Sequence, residues 1–309
     1  MTERPAILIV PRMLGLLSPM LEAAFSVHRL WEGPTIEALA DIRALVVAGE
    51  DALDMALVDA LPKLELIACF TAGYDGIDVA ACRARGLIVT HAPGVNHEDV
   101  ADQAIGLMLA ARRQIVTGDR TVRAGHWHID QRLMTRSMAG QKLGIVGLGD
   151  IGQAVAIRAQ AMRMAVSWWG PRDKVSDWPR AESLMALAEQ SDVLVVACRA
   201  DDSNRGLISE AVIEAIGPDG LLVNVARGQL VDEVALIRSL KSGRLGQAAL
   251  DVFEDEPTDP ARWVDVPNTV LTPHTGGATM QAVQGMVGLL FQNLTAVLGG
   301  QPPVTPARD

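Results

Sequence analysis

The feature of this 309-residue sequence that most constrains its fold is a regular alternation of short apolar runs with longer segments of helical period. Ten runs predict strands, at 6–11, 44–49, 64–70, 87–91, 142–147, 165–169, 192–198, 220–226, 247–253 and 269–273. Continuously apolar runs are typical of strands that are buried on both faces of a parallel sheet. With helices between them, they predict an α/β fold of two doubly wound parallel-sheet domains.

Two long apolar helical segments divide these strands between the domains. The segment 97–117, rich in Ala and Leu, lies between the fourth and fifth strands, and a second segment at about 279–298 follows the last strand. A chain of this length favours two domains. We therefore expect one domain on each side of the first helix, with the second helix leading back to the first domain.

Charge and cysteine content exclude several classes of protein. The formal net charge is −10, whereas a nucleic-acid-binding protein needs a basic face. The cysteines Cys69, Cys82 and Cys198 form no CxxC pair, so we expect neither disulfides nor a metal site. The N-terminus lacks the pattern of a signal peptide, and no apolar run reaches the ~18 residues of a membrane span. We expect a cytoplasmic protein that binds neither nucleic acid nor membrane.

The strand at 142–147 runs directly into a glycine-rich turn that opens a helix. In this turn Gly147 permits a tight bend, Gly149 lets a ligand approach the backbone, and Gly152 allows close packing of helix on strand. The N–H groups around Asp150 and Ile151, at the helix start, can then bind a pyrophosphate. In this strand–turn–helix setting the pattern predicts a dinucleotide-binding loop rather than an ordinary turn.

The strand at 165–169 ends in a sequence that bears on the choice of dinucleotide. Sites that prefer NAD carry an Asp or Glu here, about 20 residues after the glycines, to bind the ribose 2′-hydroxyl. In this chain the position is Gly170, and Arg172 and Lys174 follow. Because arginine binds a 2′-phosphate that an acid repels, the sequence favours NADP, with NAD still possible. Two alternatives stay open: solvated basic residues, or Asp173 as an acceptor for a ribose hydroxyl.

In the second half of the chain, an arginine, an acid and a histidine follow the ends of three predicted strands. Arg227, the acidic run 254–256 and His274 each follow one of the last three predicted strands. Ligands of open α/β sheets bind outside the carboxyl ends of the strands. A histidine can protonate the oxygen of a carbonyl that is being reduced, a carboxylate can orient its ring, and an arginine can hold a substrate carboxylate. The set predicts hydride transfer involving a small 2-oxo or 2-hydroxy acid.

Motifs along nearly the whole chain resemble those of the D-isomer-specific 2-hydroxyacid dehydrogenases. They are FTAGYDGIDV (70–79), VTHAPGVN (89–96), VADQAIGLMLA (100–110), GLGDIG (147–152), RGLI (205–208), NVARGQLVDE (224–233), ALDVFEDEP (249–257) and LTPHTGGAT (271–279). The resemblance implies a Rossmann-type cofactor domain at 97–278 and a discontinuous, flavodoxin-like substrate domain at 1–96 and 279–309. In the latter, the backbone of Ala72 and Gly73 resembles the family's cradle for the substrate carboxylate.

The resemblance also implies a role for each polar residue of the cofactor domain. Arg227 corresponds to the substrate-binding arginine, Glu256 to the acid that pairs with the catalytic histidine, and His274 to that acid/base. Asp251 corresponds to the residue that binds the nicotinamide carboxamide. A homodimer is implied as well, in which an arm at 123–140 crosses to the partner.

The missing acid at Gly170, together with the run WWGPR, looks most like the NADPH-using glyoxylate and hydroxypyruvate reductases of the family. This resemblance implies reduction of glyoxylate or hydroxypyruvate with NADPH. One alternative is an NAD-linked D-2-hydroxyacid dehydrogenase that works in the oxidative direction. The other, from a different class of protein, is a cofactor-sensing binding protein similar to the corepressors of the family.

Overall fold

A computed structural model describes residues 4–130 and 132–308 of the chain. It divides into two compact units, one formed by the residues up to Asn96 together with those from Met280 onward, and the other by His97–Thr279. Each unit is a parallel sheet with helices, so the predicted α/β class is confirmed. Among the described residues, no helix combines the length and the apolar character needed to cross a membrane.

The described residues of the first unit form a five-stranded parallel sheet in the order β2-β1-β3-β4-β5. Its strands are β1 (Ala6–Ile9), β2 (Ser26–Arg29), β3 (Ile42–Val47), β4 (Leu66–Cys69) and β5 (Ile88–Thr90). Its helices are α1 (Ser18–Leu21), α2 (Ile36–Ala40), α3 (Met55–Asp59), α4 (Val79–Ala84) and, after the second unit, α11 (Met280–Leu298), with 3-10 turns at Arg12–Leu17 and Leu30–Glu32.

In the second unit, the described residues form a six-stranded parallel sheet in the order β11-β10-β9-β8-β6-β7. The strands are β6 (Lys142–Val146), β7 (Ala165–Trp169), β8 (Val193–Val196), β9 (Leu221–Asn224), β10 (Gln247–Leu250) and β11 (Thr269–Leu271). The helices are α5 (His97–Arg112), α6 (Ile115–Arg123), α7 (Asp150–Ala161), α8 (Leu184–Gln190), α9 (Glu210–Ile216) and α10 (Glu233–Ser242), with 3-10 turns at Asp202–Asn204, Gly228–Leu230 and Pro260–Arg262.

Burial along the central strands explains why their sequences are continuously apolar. Every residue of β8 and of β9 is buried. Separate clusters of buried side chains cover the two faces of this sheet: Leu194 and Val196 of β8 belong to one cluster, and Val193 and Val195 to the other. Because successive side chains of a strand point to opposite faces, both faces of the sheet are packed.

Two elements differ from the prediction. The strand β2, with the sequence SVHR, is not predicted, because it is a partly exposed edge strand that pairs only with β1. The helix predicted at 97–117 is confirmed as far as Arg112 and wrong beyond it: α5 ends at Arg112, Gln114 adopts a left-handed φ of 49°, and a separate helix, α6, starts at Ile115.

The six-stranded sheet of the second unit has its topological switch point between β6 and β8. From β6 the chain adds β7 on one side, and then continues with β8 on the other side. A single parallel bridge between Trp168 and Arg180 extends the β7 side by one residue pair. Ligands of open α/β sheets bind in the crevice at the carboxyl ends of such strands, and the glycine loop follows β6 at that edge.

Candidate active site

The glycine loop between β6 and α7 is shaped by close backbone approaches. Gly147 has a φ of +93°, and a Cβ there would lie 2.6 Å from the Cα of Cys198. A Cβ on Gly152 would lie 2.1 Å from the carbonyl oxygen of Gly147. A Cβ on Gly149, by contrast, would meet no protein atom within 4 Å. The protein itself therefore requires two of the glycines, while the third leaves open space beside the backbone.

The start of α7 fits an anionic ligand. Gly149 is the N-cap of α7 and has no side chain that could accept a hydrogen bond from the first turn. The backbone amides that follow the cap are therefore not bound by a capping side chain. The positive end of a helix with such amides binds phosphate groups. The loop thus fits the pyrophosphate of a dinucleotide, and the assignment of Gly147, Gly149, Asp150, Ile151 and Gly152 as ligands stays a prediction.

The loop that follows β7 is tied to the glycine loop by Lys174. Its Nζ donates a hydrogen bond of 2.7 Å to the carbonyl oxygen of Leu148. Lys174, the second basic residue named after Gly170, therefore connects two loops. Arg172 is exposed, so solvent or a ligand can reach its guanidinium.

Arg180 organises the same loop and is not predicted from the sequence. Its guanidinium forms an ion pair with Asp173, donates a hydrogen bond of 2.6 Å to the carbonyl oxygen of Gly170, and lies 5.6 Å from the ring centroid of Trp168. Asp173, considered above as a ribose acceptor, is therefore partly neutralised by Arg180. The sequence holds no local signal for this contact, because a one-residue bridge brings Arg180 beside β7.

His274 and Glu256 form a direct pair. The Nδ1 atom of His274 lies 2.5 Å from Oε2 of Glu256, and the two side chains are 32% and 34% exposed. A carboxylate only accepts hydrogen bonds, so Nδ1 carries a proton and donates it. In the neutral ring, Nε2 is then the acceptor, and in the charged ring it is the donor that faces a ligand.

The ionisation of Glu256 is set by its neighbours. Burial raises the pKa of its carboxyl, but hydrogen bonds from His274 and from the N–H of Phe253, with the positive charges of His274 and Arg227, bring that pKa below its usual value. The Phe253 hydrogen bond, to Oε1, measures 2.9 Å. Glu256 is therefore ionised at neutral pH, and the charge of Arg227 favours that ionised form.

Arg227 lies in the turn between β9 and the 3-10 turn Gly228–Leu230. Its Nη1 donates to the carbonyl oxygen of Ala226 at 2.7 Å, and its own carbonyl oxygen accepts from Nδ2 of Asn224 at 2.9 Å. A buried asparagine, 1% exposed, thus fixes the turn that presents the arginine. The structure brings Arg227, Glu256 and His274 to the same edge of the sheet.

Asp251 holds the turn that carries His274. This aspartate is 2% exposed. Its Oδ1 accepts from the hydroxyl of Thr272 at 2.5 Å and from the N–H of Thr275 at 3.0 Å, and its Oδ2 accepts from the N–H of Gly276 at 2.7 Å. Its backbone carbonyl accepts the N–H of His274 at 2.8 Å. Oδ2 keeps a second lone pair, and the predicted contact with a nicotinamide carboxamide stays a prediction.

This hydrogen-bond set explains a strained backbone at the site. His274 has a left-handed φ of 52°, which costs a non-glycine residue about 1–3 kcal/mol and persists only where the surrounding structure imposes it. Gln103 of α5 strengthens the set, because its Nε2 donates to the hydroxyl of Thr272 at 2.9 Å. Gln103 is not predicted from the sequence, since 169 residues separate it from Thr272.

Ala72 and Gly73 lie in the first unit, in the loop after β4. The carbonyl oxygen of Ala72 lies 2.9 Å from Nδ1 of His91, and that of Gly73 accepts the hydroxyl of Thr71 at 2.8 Å. A Cβ on Gly49 would lie 2.3 Å from the Gly73 oxygen, so the loop is packed against the end of β3. The binding of a carboxylate by the two amides stays a prediction.

Comparisons with known proteins agree with this geometry. The family described as D-isomer specific 2-hydroxyacid dehydrogenase, NAD binding domain, matches residues 105–276. A hydroxyphenylpyruvate reductase of Plectranthus scutellarioides is 40% identical over 98% of this chain and 99% of its own. A glyoxylate/hydroxypyruvate reductase A of Arabidopsis thaliana is 38% identical over the same shares of the two chains.

A solved structure shows the same similarity in three dimensions. The NADPH-dependent glyoxylate/hydroxypyruvate reductase of Sinorhizobium meliloti, in complex with NADP and malonate, is 33% identical. It superimposes with a TM-score of 0.92 over 99% of this chain and 97% of its own. The resemblance seen in the motifs is thereby confirmed, and the chain belongs to the D-isomer specific 2-hydroxyacid dehydrogenases, a family of oxidoreductases.

Proposed function

We propose that the protein reduces glyoxylate and hydroxypyruvate to the corresponding 2-hydroxy acids with NADPH. The observation that carries the proposal is the His274–Glu256 pair, 2.5 Å apart, with the charge of Arg227 beside it. Reductases of both substrates are among the relatives, and one of them binds NADP. Glyoxylate and hydroxypyruvate share the carboxylate and the adjacent carbonyl for which these three side chains are suited.

In this mechanism the glycine loop and the start of α7 hold the pyrophosphate, and Asp251 accepts from the carboxamide. Bound NADPH supplies the hydride. Arg227 binds the substrate carboxylate and orients the carbonyl. Nε2 of His274 gives its proton to the carbonyl oxygen as charge develops there. Ionised Glu256 stabilises the charged ring before that transfer.

A substrate panel with both cofactors tests the proposal. Glyoxylate, hydroxypyruvate, 4-hydroxyphenylpyruvate and 2-ketogluconate are each offered with NADPH and with NADH, and D-glycerate is offered with NAD⁺ and NADP⁺. We expect the highest kcat/KM for glyoxylate or hydroxypyruvate with NADPH. Faster oxidation with NAD⁺ would instead favour the NAD-linked dehydrogenase. No turnover of any acid would favour a cofactor-sensing binding protein.

The cofactor preference itself gives a prediction about Arg172. Charge-assisted hydrogen bonds to a 2′-phosphate contribute about 1.5–3 kcal/mol each, which corresponds to roughly a ten- to hundredfold preference. We expect NADPH to exceed NADH by at least about tenfold in kcat/KM, and Arg172→Ala to remove most of that ratio while NADH kinetics stay unchanged. Exposed Lys241 supplies the control, because Lys241→Ala removes one charge from α10. Equal use of both cofactors by the parent enzyme contradicts the prediction.

A second prediction concerns pH and Glu256. Glu256→Gln removes the negative neighbour of His274 but keeps a similar shape, so the charged ring is less favoured. Reduction needs that charged ring, and we therefore expect the limb on which kcat falls with rising pH to move to lower pH. A pH profile of kcat for the parent and the variant measures this shift. An unmoved limb means that the carboxylate does not act on His274.

We also propose that two chains associate through the arm at 123–140, of which Gln131 lies outside the described residues. The helix α6, just before the arm, buries none of its residues. Trp127, Ile129 and Met134 are 67%, 78% and 86% exposed, and such a group of apolar side chains is typical of an interface. Light scattering is expected to give twice the chain mass, and Ile129→Glu is expected to reduce it. A monomeric parent protein rules out the dimer.

A further inference from the structure

A buried carboxylate, that of Glu233, is connected to the loop that presents Glu256. Glu233, the first residue of α10, is 4% exposed, and its Oε1 lies 2.7 Å from Nη2 of Arg262. Its Oε2 accepts the N–H of Glu254 at 3.1 Å. Burial of a carboxylate is costly unless it is paired and hydrogen-bonded. Both of these partners of Glu233, Arg262 and the amide of Glu254, follow β10 in the chain.

Glu233 and Glu256 bind neighbouring amides of one loop, and Glu256 with His274 forms the pair that is proposed to move the proton. Two successive amides of this loop are each held by a carboxylate: that of Phe253 by Oε1 of Glu256, at 2.9 Å, and that of Glu254 by Glu233. A Cβ on Gly228 would lie 1.8 Å from the carbonyl carbon of Phe253, so the backbone of Gly228 packs directly against this peptide. The peptide between Phe253 and Glu254 is thus clamped between a glycine and a buried carboxylate.

We propose that Glu233 and Arg262 are positioning residues that set the orientation of Glu256 toward His274. The inference rests on the proposed function, because it concerns the same proton transfer. If Glu233 no longer binds the amide of Glu254, the peptide between Phe253 and Glu254 can turn. Oε1 of Glu256 then loses the Phe253 N–H as its donor, and Oε2 is no longer held against Nδ1 of His274. Glu233 acts through this loop, by its hydrogen bond to the amide of Glu254.

The effects of other charges near the His274–Glu256 pair must be distinguished from the positioning effect of Glu233. They are Arg227 after β9, Asp251 after β10, Glu254 and Asp255 in the loop, and Arg262, whose Nη1 lies 3.9 Å from Asp255. Removal of the Glu233 charge could also disfavour the charged histidine directly through space. A direct effect of that kind persists when Glu256 is neutral, whereas a positioning effect requires the Glu256 carboxylate.

Glu233→Gln tests the inference, because it keeps an acceptor for the Glu254 amide but removes the charge opposite Arg262. We expect kcat to fall by roughly 10- to 100-fold through misplacement of the reacting groups. The limb of the pH profile should move to lower pH, as for Glu256→Gln, and the Kd of NADPH should stay unchanged. In the double variant with Glu256→Gln, kcat and the limb should equal those of Glu256→Gln alone.

Glu210→Gln is the matched control. Glu210 is also the first residue of a helix, α9, and its carboxylate also lies 2.7 Å from an arginine, Arg238, but 40% of its side chain is exposed. We expect no change of kcat or of the pH limb in this variant. If Glu233→Gln does not fold, Arg262→Gln removes the same ion pair from a side chain that is 29% exposed, and the same results are expected.

Two results overturn the inference. One is a pH limb that does not move in Glu233→Gln although it moves in Glu256→Gln, which leaves the proposed function intact. The other is a double variant in which the falls in kcat of the two single variants multiply, because Glu233 would then act independently of Glu256. If Glu256→Gln itself has no effect on the limb, the proposed proton transfer fails together with the inference.

Discussion

Replacement of His274 by alanine is expected to lower kcat for reduction of glyoxylate or hydroxypyruvate by about 10²–10⁴, the usual contribution of general acid–base catalysis. The reason is the geometry of the pair: with Nδ1 given to Glu256 at 2.5 Å, Nε2 is the atom from which the proton leaves. Without it, water must protonate the developing alkoxide. Steady-state kinetics with saturating NADPH measure the loss.

Cofactor binding separates a catalytic loss from a folding defect. The glycine loop follows β6, whereas His274 follows β11, at the far end of the sheet order, so we expect the Kd of NADPH for His274→Ala to equal that of the parent. His28→Ala, on the edge strand β2, is the control and should leave kcat unchanged. Near-normal turnover by His274→Ala would remove this residue from the mechanism.

The features that sequence could predict are those with local causes. The glycine loop is one, because the tight turn, the ligand approach and the helix packing each require a glycine at a fixed spacing. The grouping of Arg227, Glu256 and His274 is another, since parallel strands bring their carboxyl ends to one edge. The continuous apolar runs of β8 and β9 predicted burial on both faces, and both strands are fully buried.

The features that sequence could not predict depend on contacts between distant segments. Glu233 and Glu254 are 21 residues apart, and Gln103 lies 169 residues from Thr272. Nothing in the local sequence of either pair distinguishes a buried polar contact from a solvated side chain. The Arg180 contact is similar, because a single bridge to Trp168, and no strand of regular length, brings it to the loop.

The edge strand β2 and the helix break at Gln114 were missed for a different reason. Sequence patterns report burial, and β2 has three half-buried residues and one exposed residue, so its pattern is not that of an inner strand. The break between α5 and α6 depends on the left-handed φ of Gln114. Any residue type other than glycine or asparagine gives little warning of that conformation.

Replacement of Arg227 by lysine is the second change with a large expected effect. Lysine keeps the positive charge but loses the planar fork that binds a carboxylate through two parallel hydrogen bonds. Each hydrogen bond to a charged group contributes about 1.5–3 kcal/mol, so its loss raises KM for the 2-oxo acid by roughly ten- to hundredfold. We expect kcat to fall as well, because a carbonyl that is held by one contact is oriented less well.

The pH profile makes the Arg227 prediction specific. The charge of Arg227 is among the causes that lower the pKa of Glu256, and lysine retains that charge. Arg227→Lys is therefore expected to change KM and kcat while the pH limb stays in place, whereas Glu256→Gln moves the limb. Arg205→Lys is the control, since this exposed arginine donates to Oε1 of Gln229 and has no part in the proposed site. If Arg227→Lys kinetics equal those of the parent, Arg227 only supports the turn after β9, and the substrate carboxylate must be bound elsewhere.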